Sequence, residues 1–252
     1  MDGKTLNILA AIWIAIALIT LPFLLRVTQP YGRHVSKNWG PLLDNKIGWI
    51  LQETPSLVFL CIFFFTGTGV KPAGAWFLWA IWVLHYINRS FIYPLRTRTS
   101  GKKIPLVIVI SAIFFNFVNG FLNGTYLGNF GDAYGTGFFL SAHFLIGLPV
   151  FIAGVVINNY SDSQLINLRK PGETGYKIPT GGFFKYVSCP NHFGEMVEWL
   201  GFAMMANSLP AWSFAIWTVV NLIPRTLDNH KWYLQKFPDY PKERKAVIPF
   251  IL

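Results

Sequence analysis

Leu6-Asn7-Ile8-Leu9-Ala10-Ala11-Ile12-Trp13-Ile14-Ala15-Ile16-Ala17-Leu18-Ile19-Thr20-Leu21-Pro22-Phe23-Leu24-Leu25, followed at once by Arg26, is the stretch whose reading decides the fold. At 1.5 Å per residue its length matches a hydrocarbon core of ~30 Å. A secretory leader would end in a small-residue cleavage pattern. Here Leu-Pro-Phe-Leu-Leu-Arg stands in that place, so the run is read as a membrane span. Apolar runs of the same kind recur at 48–66, 74–92, 104–122, 137–157, 193–206 and 211–224. The last two hold 14 residues each and are joined by Asn207-Ser208-Leu209-Pro210. They read as tilted spans or a hairpin that barely reaches the far interface, which leaves a six-span count as the rival.

Charge orders these runs. If all seven cross, alternate connections lie on one side. They hold 19 of the 21 Lys and Arg, leaving Lys4 and Lys71 opposite. The positive-inside rule then predicts an all-α polytopic membrane protein, a single domain over residues 1–252 with seven transmembrane helices. The N-terminus is outside and the C-terminus cytoplasmic. An impermeant thiol reagent applied to intact cells is expected to reach Ala73→Cys and to miss Thr174→Cys. The composition agrees, being 53% hydrophobic and 13% charged, too apolar to wrap a soluble domain. The net charge of +10 is not a nucleic-acid signature, because the cations flank spans instead of forming one soluble face. Cys61 and Cys189 imply no disulfide framework, and the five His show no metal-ligand spacing. No phosphate-loop motif and no complete Gly-x-Gly-x-x-Gly after a strand is present, so a dinucleotide would be held by something other than a Rossmann domain.

Ionisable groups inside spans are expensive and usually functional. In Gly48-Trp49-Ile50-Leu51-Gln52-Glu53-Thr54-Pro55, Glu53 lies about five residues in from the cytoplasmic end, roughly 7–8 Å deep. A carboxyl at that depth must be paired or neutral. Tyr86 in His85-Tyr86-Ile87-Asn88-Arg89 reaches a similar depth on the next span, where an interfacial anchor is its ordinary role. Asn158 to Asp162, Asn191 to Glu198, and Asn221 to Asp228 bring amides and carboxylates into the same layer, which reads as a pocket. Asn116, Asn119 and Asn123 follow near-helical spacing and suit either that pocket or helix–helix hydrogen bonds. The loop from Arg169 to Asn191 is punctuated by Gly and Pro, and carries Arg169, Lys170, Lys177 and Lys185 among tyrosines. It suits a phosphorylated nucleotide, or an anionic lipid surface. Sequons stand at Asn88, Asn123 and Asn159, of which Asn123 alone falls outside in this topology.

The motifs Leu168-Arg169-Lys170-Pro171-Gly172-Glu173, Gly181-Gly182-x-Phe184-x-Tyr186-Val187-Ser188, Asn191-x-x-Gly194-Glu195-x-x-Glu198-Trp199 and the ending Tyr240-Pro241-Lys242 to Phe250 resemble those of the steroid 5α-reductase family. So do Gln52-Glu53-x-Pro55, His85-Tyr86 and Asn119-Gly120-x-x-x-Gly124 upstream. The resemblance covers nearly the whole chain. It implies a seven-helix membrane fold, NADPH held beneath a cytoplasmic cover, and reduction of the 4,5-double bond of a 3-oxo-steroid. By position it implies that Gln52, Glu53 and Tyr86 meet the 3-ketone. It likewise implies that Asn158, Asp162, Arg169, Tyr176, Asn191, Glu195 and Tyr233, with Asn119 and Arg225, contact the cofactor. No metal is implied. The chain departs from the animal enzymes at Asn229, where they carry His, and at Lys177, where they carry Arg. Residues 96–104 align poorly. The partners expected are a steroid or sterol-like substrate and membrane lipid, with no nucleic acid and with the protein monomeric. Short loops favour a bacterial inner membrane over the endoplasmic reticulum. Other readings are an enoyl-CoA or polyprenol-type double-bond reductase, a membrane methyltransferase, and a seven-helix transporter or receptor; no inverted repeats support the last.

Overall fold

The computed structural model describes residues 1–99, 101–170, 173 and 175–252, so Thr174 lies outside the described residues. Its architecture is helical: α1 Gly3–Leu24, α2 Asn45–Thr66, α3 Ala73–Ile87, a one-turn α4 Tyr93–Arg96, α5 Leu106–Asn129, α6 Ala142–Asn167, α7 Pro190–Ala206 and α8 Leu209–Lys236. A π-helical turn, Asn88–Ile92, joins α3 to α4. Strand β1 Leu42–Asp44 pairs antiparallel with β2 Lys103–Pro105, which closes the base of α2 against the start of α5.

The helix starts follow local chemistry. Asp2 accepts from the Thr5 amide at 2.7 Å, Asp44 from the Lys46 and Ile47 amides, and Ser208 from the Ala211 amide. Each satisfies amides that a helix start leaves without partners. Along α1 the buried residues are Leu6, Ala10, Trp13 and Ala17, a stripe at helical spacing. Ile8, Ile12, Ile19 and Phe23 point outward and are exposed. Large apolar side chains on the outside of α1, α2, α5 and α6 make those surfaces suited to lipid rather than water. These four helices are long and apolar enough to cross a membrane.

The helices associate chiefly as α6 with α7 and α2 with α5, with α8 packed against α1 and α7. Close approach explains the first pair. A Cβ on Gly154 would collide with the backbone nitrogen of Glu198, and one on Gly194 with that of Asn158. Small residues thus let the α6 and α7 backbones touch, which sets Asn158 and Glu198 in their places. Trp13 locks α1 to α8: its carbonyl accepts from Trp217 Nε1 at 2.8 Å, and the two rings lie 4.7 Å apart.

Several boundaries differ from the sequence reading: α5 runs on to Asn129 and α6 to Asn167, past the ends of their apolar runs. The last apolar run ends at Pro224, but α8 continues through it to Lys236. Hydropathy stops there because the helix turns polar, with Arg225, Asp228 and Lys231 following, while the backbone stays helical. α7 likewise begins at Pro190, a favoured first position. Asn123 is buried, with Nδ2 donating to Asn119 O at 3.1 Å and Pro210 O at 3.3 Å, so its sequon is closed to a glycan. Cys61 and Cys189 are both free.

Candidate active site

Two clusters occupy the end of the bundle where α3 gives way to the π-turn, α6 ends and α7 begins. In the first, Glu53 Oε1 accepts from Gln52 Nε2 at 3.0 Å. Asn116 Nδ2 on α5 donates to the Gln52 carbonyl at 2.6 Å, and its Oδ1 lies 3.4 Å from the Tyr86 hydroxyl. α2, α3 and α5 therefore meet in one hydrogen-bonded chain holding Gln52, Glu53 and Tyr86, buried at Gln52, Asn116 and Tyr86 and half-buried at Glu53. Aromatic walls surround the phenol: Trp82 stacks on Tyr86 at 5.6 Å and Trp199 tilts against it at 6.0 Å.

Arg89 is the centre of the adjoining polar layer, although by sequence it reads only as one more cation of the cytoplasmic side. It extends from the π-turn to Asp162 on α6 at 3.5 Å and to Glu195 on α7 at 3.3 Å, largely shielded from solvent. Its guanidinium lies over Trp49 at 4.8 Å and over Tyr93 at 5.0 Å. Asp162 also accepts from Asn191 Nδ2 at 3.0 Å, and the Asn191 carbonyl accepts from Asn158 Nδ2 at 2.9 Å. Four residues expected at a cofactor, Asn158, Asp162, Asn191 and Glu195, are thus in one network. The signal that points to Arg89 is a cation one turn after Tyr86, where the apolar run of α3 gives way to polar residues.

The second cluster is basic. A cavity of about 190 Å³ is bordered by Tyr31, Arg33, Lys102, Tyr176, Arg225 and Asp228, with Asn229 on its wall. Arg33 sits over the rings of Tyr176, Trp232 and Tyr233 at 5.2, 4.7 and 4.4 Å. Arg225 covers Tyr31 at 4.6 Å, and Arg169 approaches Tyr176 at 5.8 Å. Arg33 Nη1 and Arg225 Nε are buried without hydrogen-bond partners among the described residues. Donors left without acceptors among cations call for an anion. Arg169, Tyr176, Arg225 and Tyr233 are the residues expected at such a place. Arg33 and Lys102 are additions, since Arg33 lies in an irregular segment far from them in sequence and Lys102 in the poorly aligned one. Lys177 pairs with exposed Glu173 at 2.6 Å. Asn119 is engaged differently, with Oδ1 accepting from Trp13 Nε1 at 3.1 Å, so it helps to join α1 to α5.

Partial burial, with Arg169 and Arg33 nearby, brings the Lys102 ammonium down to a pKa of about 8. In the free protein its charge is therefore lost as pH rises through about 8, well below its unfolded value. A bound polyanion stabilises the charged form. Affinity for a polyanion should fall between pH 7 and pH 9, and Lys102→Met should flatten that dependence. Calorimetric titration with a polyphosphate at each pH checks this; an unchanged slope in Lys102→Met would exclude Lys102 from the anion site.

The family model described as 3-oxo-5-alpha-steroid 4-dehydrogenase matches residues 102–252. The chain is 40% identical over 240 residues to a steroid 5-alpha-reductase of Gossypium hirsutum, an alignment covering 94% of this chain and 93% of the relative. It is 40% identical over 252 residues to 3-oxo-5-alpha-steroid 4-dehydrogenase 1 of Bos taurus, covering 98% and 97%. Against 3-oxo-5-alpha-steroid 4-dehydrogenase 1 of Homo sapiens it is 40% identical over 223 residues, covering 88% and 85%.

Proposed function

The chain belongs to the 3-oxo-5-alpha-steroid 4-dehydrogenase family of oxidoreductases, and from that premise we propose that it reduces the 4,5-double bond of a 3-oxo-4-ene steroid with NADPH. The observation that carries the reading is the hydrogen-bonded chain linking Gln52, Glu53, Asn116 and Tyr86 beside the Arg89 carboxylate network.

The chemistry needs an acid pair at the ketone. Addition of hydride to the carbon β to a carbonyl places negative charge on the carbonyl oxygen. The Tyr86 hydroxyl and a neutral Glu53 carboxyl would donate hydrogen bonds to that oxygen in a low dielectric, where such donors are most effective. Ketosteroid isomerase shows that a Tyr paired with a protonated acid can stabilise a steroid enolate in this way. Gln52, bonded to Glu53, would fix the carboxyl's orientation. A proton must then reach the adjacent carbon. NADPH, when bound, supplies the hydride.

Cofactor residues fit two parts of one elongated anion. Asn158, Asp162, Asn191 and Glu195 with Arg89 offer amide and carboxylate partners near the reacting end. Arg33, Lys102, Arg169, Tyr176, Arg225 and Tyr233 offer cations and aromatic faces for phosphates and adenine. The unpaired Arg33 and Arg225 nitrogens support that assignment. Because a charge-assisted hydrogen bond contributes about 1.5–3 kcal/mol, Arg169→Ala should raise the NADPH dissociation constant roughly tenfold or more. NADH, lacking the extra phosphate, should bind more weakly than NADPH to the unaltered protein. Equal affinities would contradict the reading. Mass spectrometry of cofactor co-purified in mild detergent identifies it independently.

Seven spans with the N-terminus outside and the C-terminus cytoplasmic accommodate this layout, since nearly all cations then share the cofactor side. Both Ala73 and Lys177 are exposed. An impermeant maleimide on intact cells should label Ala73→Cys and spare Lys177→Cys until the membrane is opened. Labelling of position 177 in sealed cells would invert the topology. Action as a monomer is part of the same proposal. Short connections support a bacterial inner membrane as host, with steroid entering from the lipid.

A further inference from the structure

Glu198 is almost wholly buried, and Oε1 lies 2.6 Å from His85 Nδ1. The two side chains are 2% and 8% exposed, so this is a polar tie inside the bundle between α3 and α7. Charge-assisted bonds in such surroundings are short and directional. The residues next to each partner meet as well. His85 is followed on α3 by Tyr86, and Glu198 is followed on α7 by Trp199. The His85 ring stands edge-on to Tyr86 at 5.0 Å and to Trp199 at 4.6 Å, while Trp199 tilts against Tyr86 at 6.0 Å. Two consecutive residues of one helix are thus clamped by two consecutive residues of another.

That clamp bears on where the Tyr86 hydroxyl points. α3 packs mainly on α2 and α5, and its own approach to α6 and α7 is slight. The hydrogen bond from the Tyr86 hydroxyl to Asn116 is long, at 3.4 Å, and directs it only weakly. The ring is oriented instead by packing and by the rotation of α3 about its axis. The His85–Glu198 bond fixes that rotation from the adjoining face of the helix, about 100° around its axis from Tyr86. Glu198 itself is fixed because Gly154 lets α6 lie directly on its backbone.

We propose that Glu198 and His85 are positioning residues for the reduction, holding the Tyr86 hydroxyl at the site where the steroid carbonyl oxygen develops charge. This rests on the reading of Tyr86 as the ketone's hydrogen-bond donor. Glu198 Oε2 has no partner among the described residues, and Glu198 borders a cavity of about 230 Å³ between α3 and α6, so a Gln amide is accommodated there.

The test is a double-mutant cycle on reduction of a 3-oxo-4-ene steroid by the full-length protein in detergent. NADPH binding and thermal unfolding are followed for every variant. Glu198→Ala should lower kcat about tenfold or more while steroid KM and NADPH affinity stay within about twofold, since small misplacement of a catalytic group costs rate more than binding. Glu198→Gln, which can still accept from His85, should keep most of the rate. His85→Asn, which keeps a donor near Nδ1, should fall between them. In a Tyr86→Phe background, Glu198→Ala should add little, because the group it positions is gone. A full additional loss there would overturn the positioning role and leave the function of Tyr86 standing. Equal loss in Glu198→Gln and Glu198→Ala would overturn it too. Normal turnover in Tyr86→Phe alone would instead defeat the reading on which it rests.

Discussion

Tyr86→Phe is expected to reduce turnover of a 3-oxo-4-ene steroid by about 10²–10³-fold, the usual cost of deleting one oxyanion donor. Steroid and NADPH binding should change far less. A ketone in the ground state engages such a donor weakly, and the interaction strengthens only as charge develops. Phe keeps the contacts with Trp82 and Trp199 and removes only the hydroxyl near Asn116. Glu53 refines the test. Glu53→Gln retains a donor of nearly the same shape, so it should keep more activity than Glu53→Ala. If Glu53 instead worked as an ionised base, the two would be equally inactive. Steady-state rates, with NADPH binding measured separately, separate these cases.

Arg89→Ala should be the most damaging substitution for the fold. It would leave Asp162 and Glu195 facing each other without the cation that now lies 3.5 and 3.3 Å away. Removing one partner of a buried ion pair typically costs about 3–5 kcal/mol, because the remaining charge is uncompensated. The melting temperature should fall by several degrees and co-purified NADPH should be lost. Adding Asp162→Asn to Arg89→Ala should recover part of the thermal stability without restoring turnover. An Arg89→Ala protein with unchanged melting and cofactor content would show that the network is not structural.

How much is legible in the sequence depends on the physics of each part. The four long apolar helices α1, α2, α5 and α6 announce themselves because hydrocarbon demands long apolar runs. The end of α8 does not, since a helix keeps its backbone hydrogen bonds while its hydropathy changes at Arg225. Gln52, Glu53 and Tyr86 stand out because polar groups at that depth are costly, and the structure joins them through Asn116. Asn116, Asn119 and Asn123 follow near-helical spacing but bond to α2, α1 and the start of α8 respectively, a division that depends on which helices surround α5. Arg33 and Lys102 are illegible for a different reason. They come from irregular segments on either side of α2, and β1–β2 pairing and the cover around Tyr176 bring them together. Periodicity carries no information about such long-range closures.

The central claim is a regiospecific hydride transfer, and isotope transfer tests it most directly. The purified protein would be given a 3-oxo-4-ene steroid and NADPH deuterated at the transferred position. The product should be the saturated 3-oxo-steroid carrying a single deuterium at carbon 5. A product deuterated at the carbonyl carbon, or recovery of unreduced steroid from protein shown to bind NADPH, would contradict it.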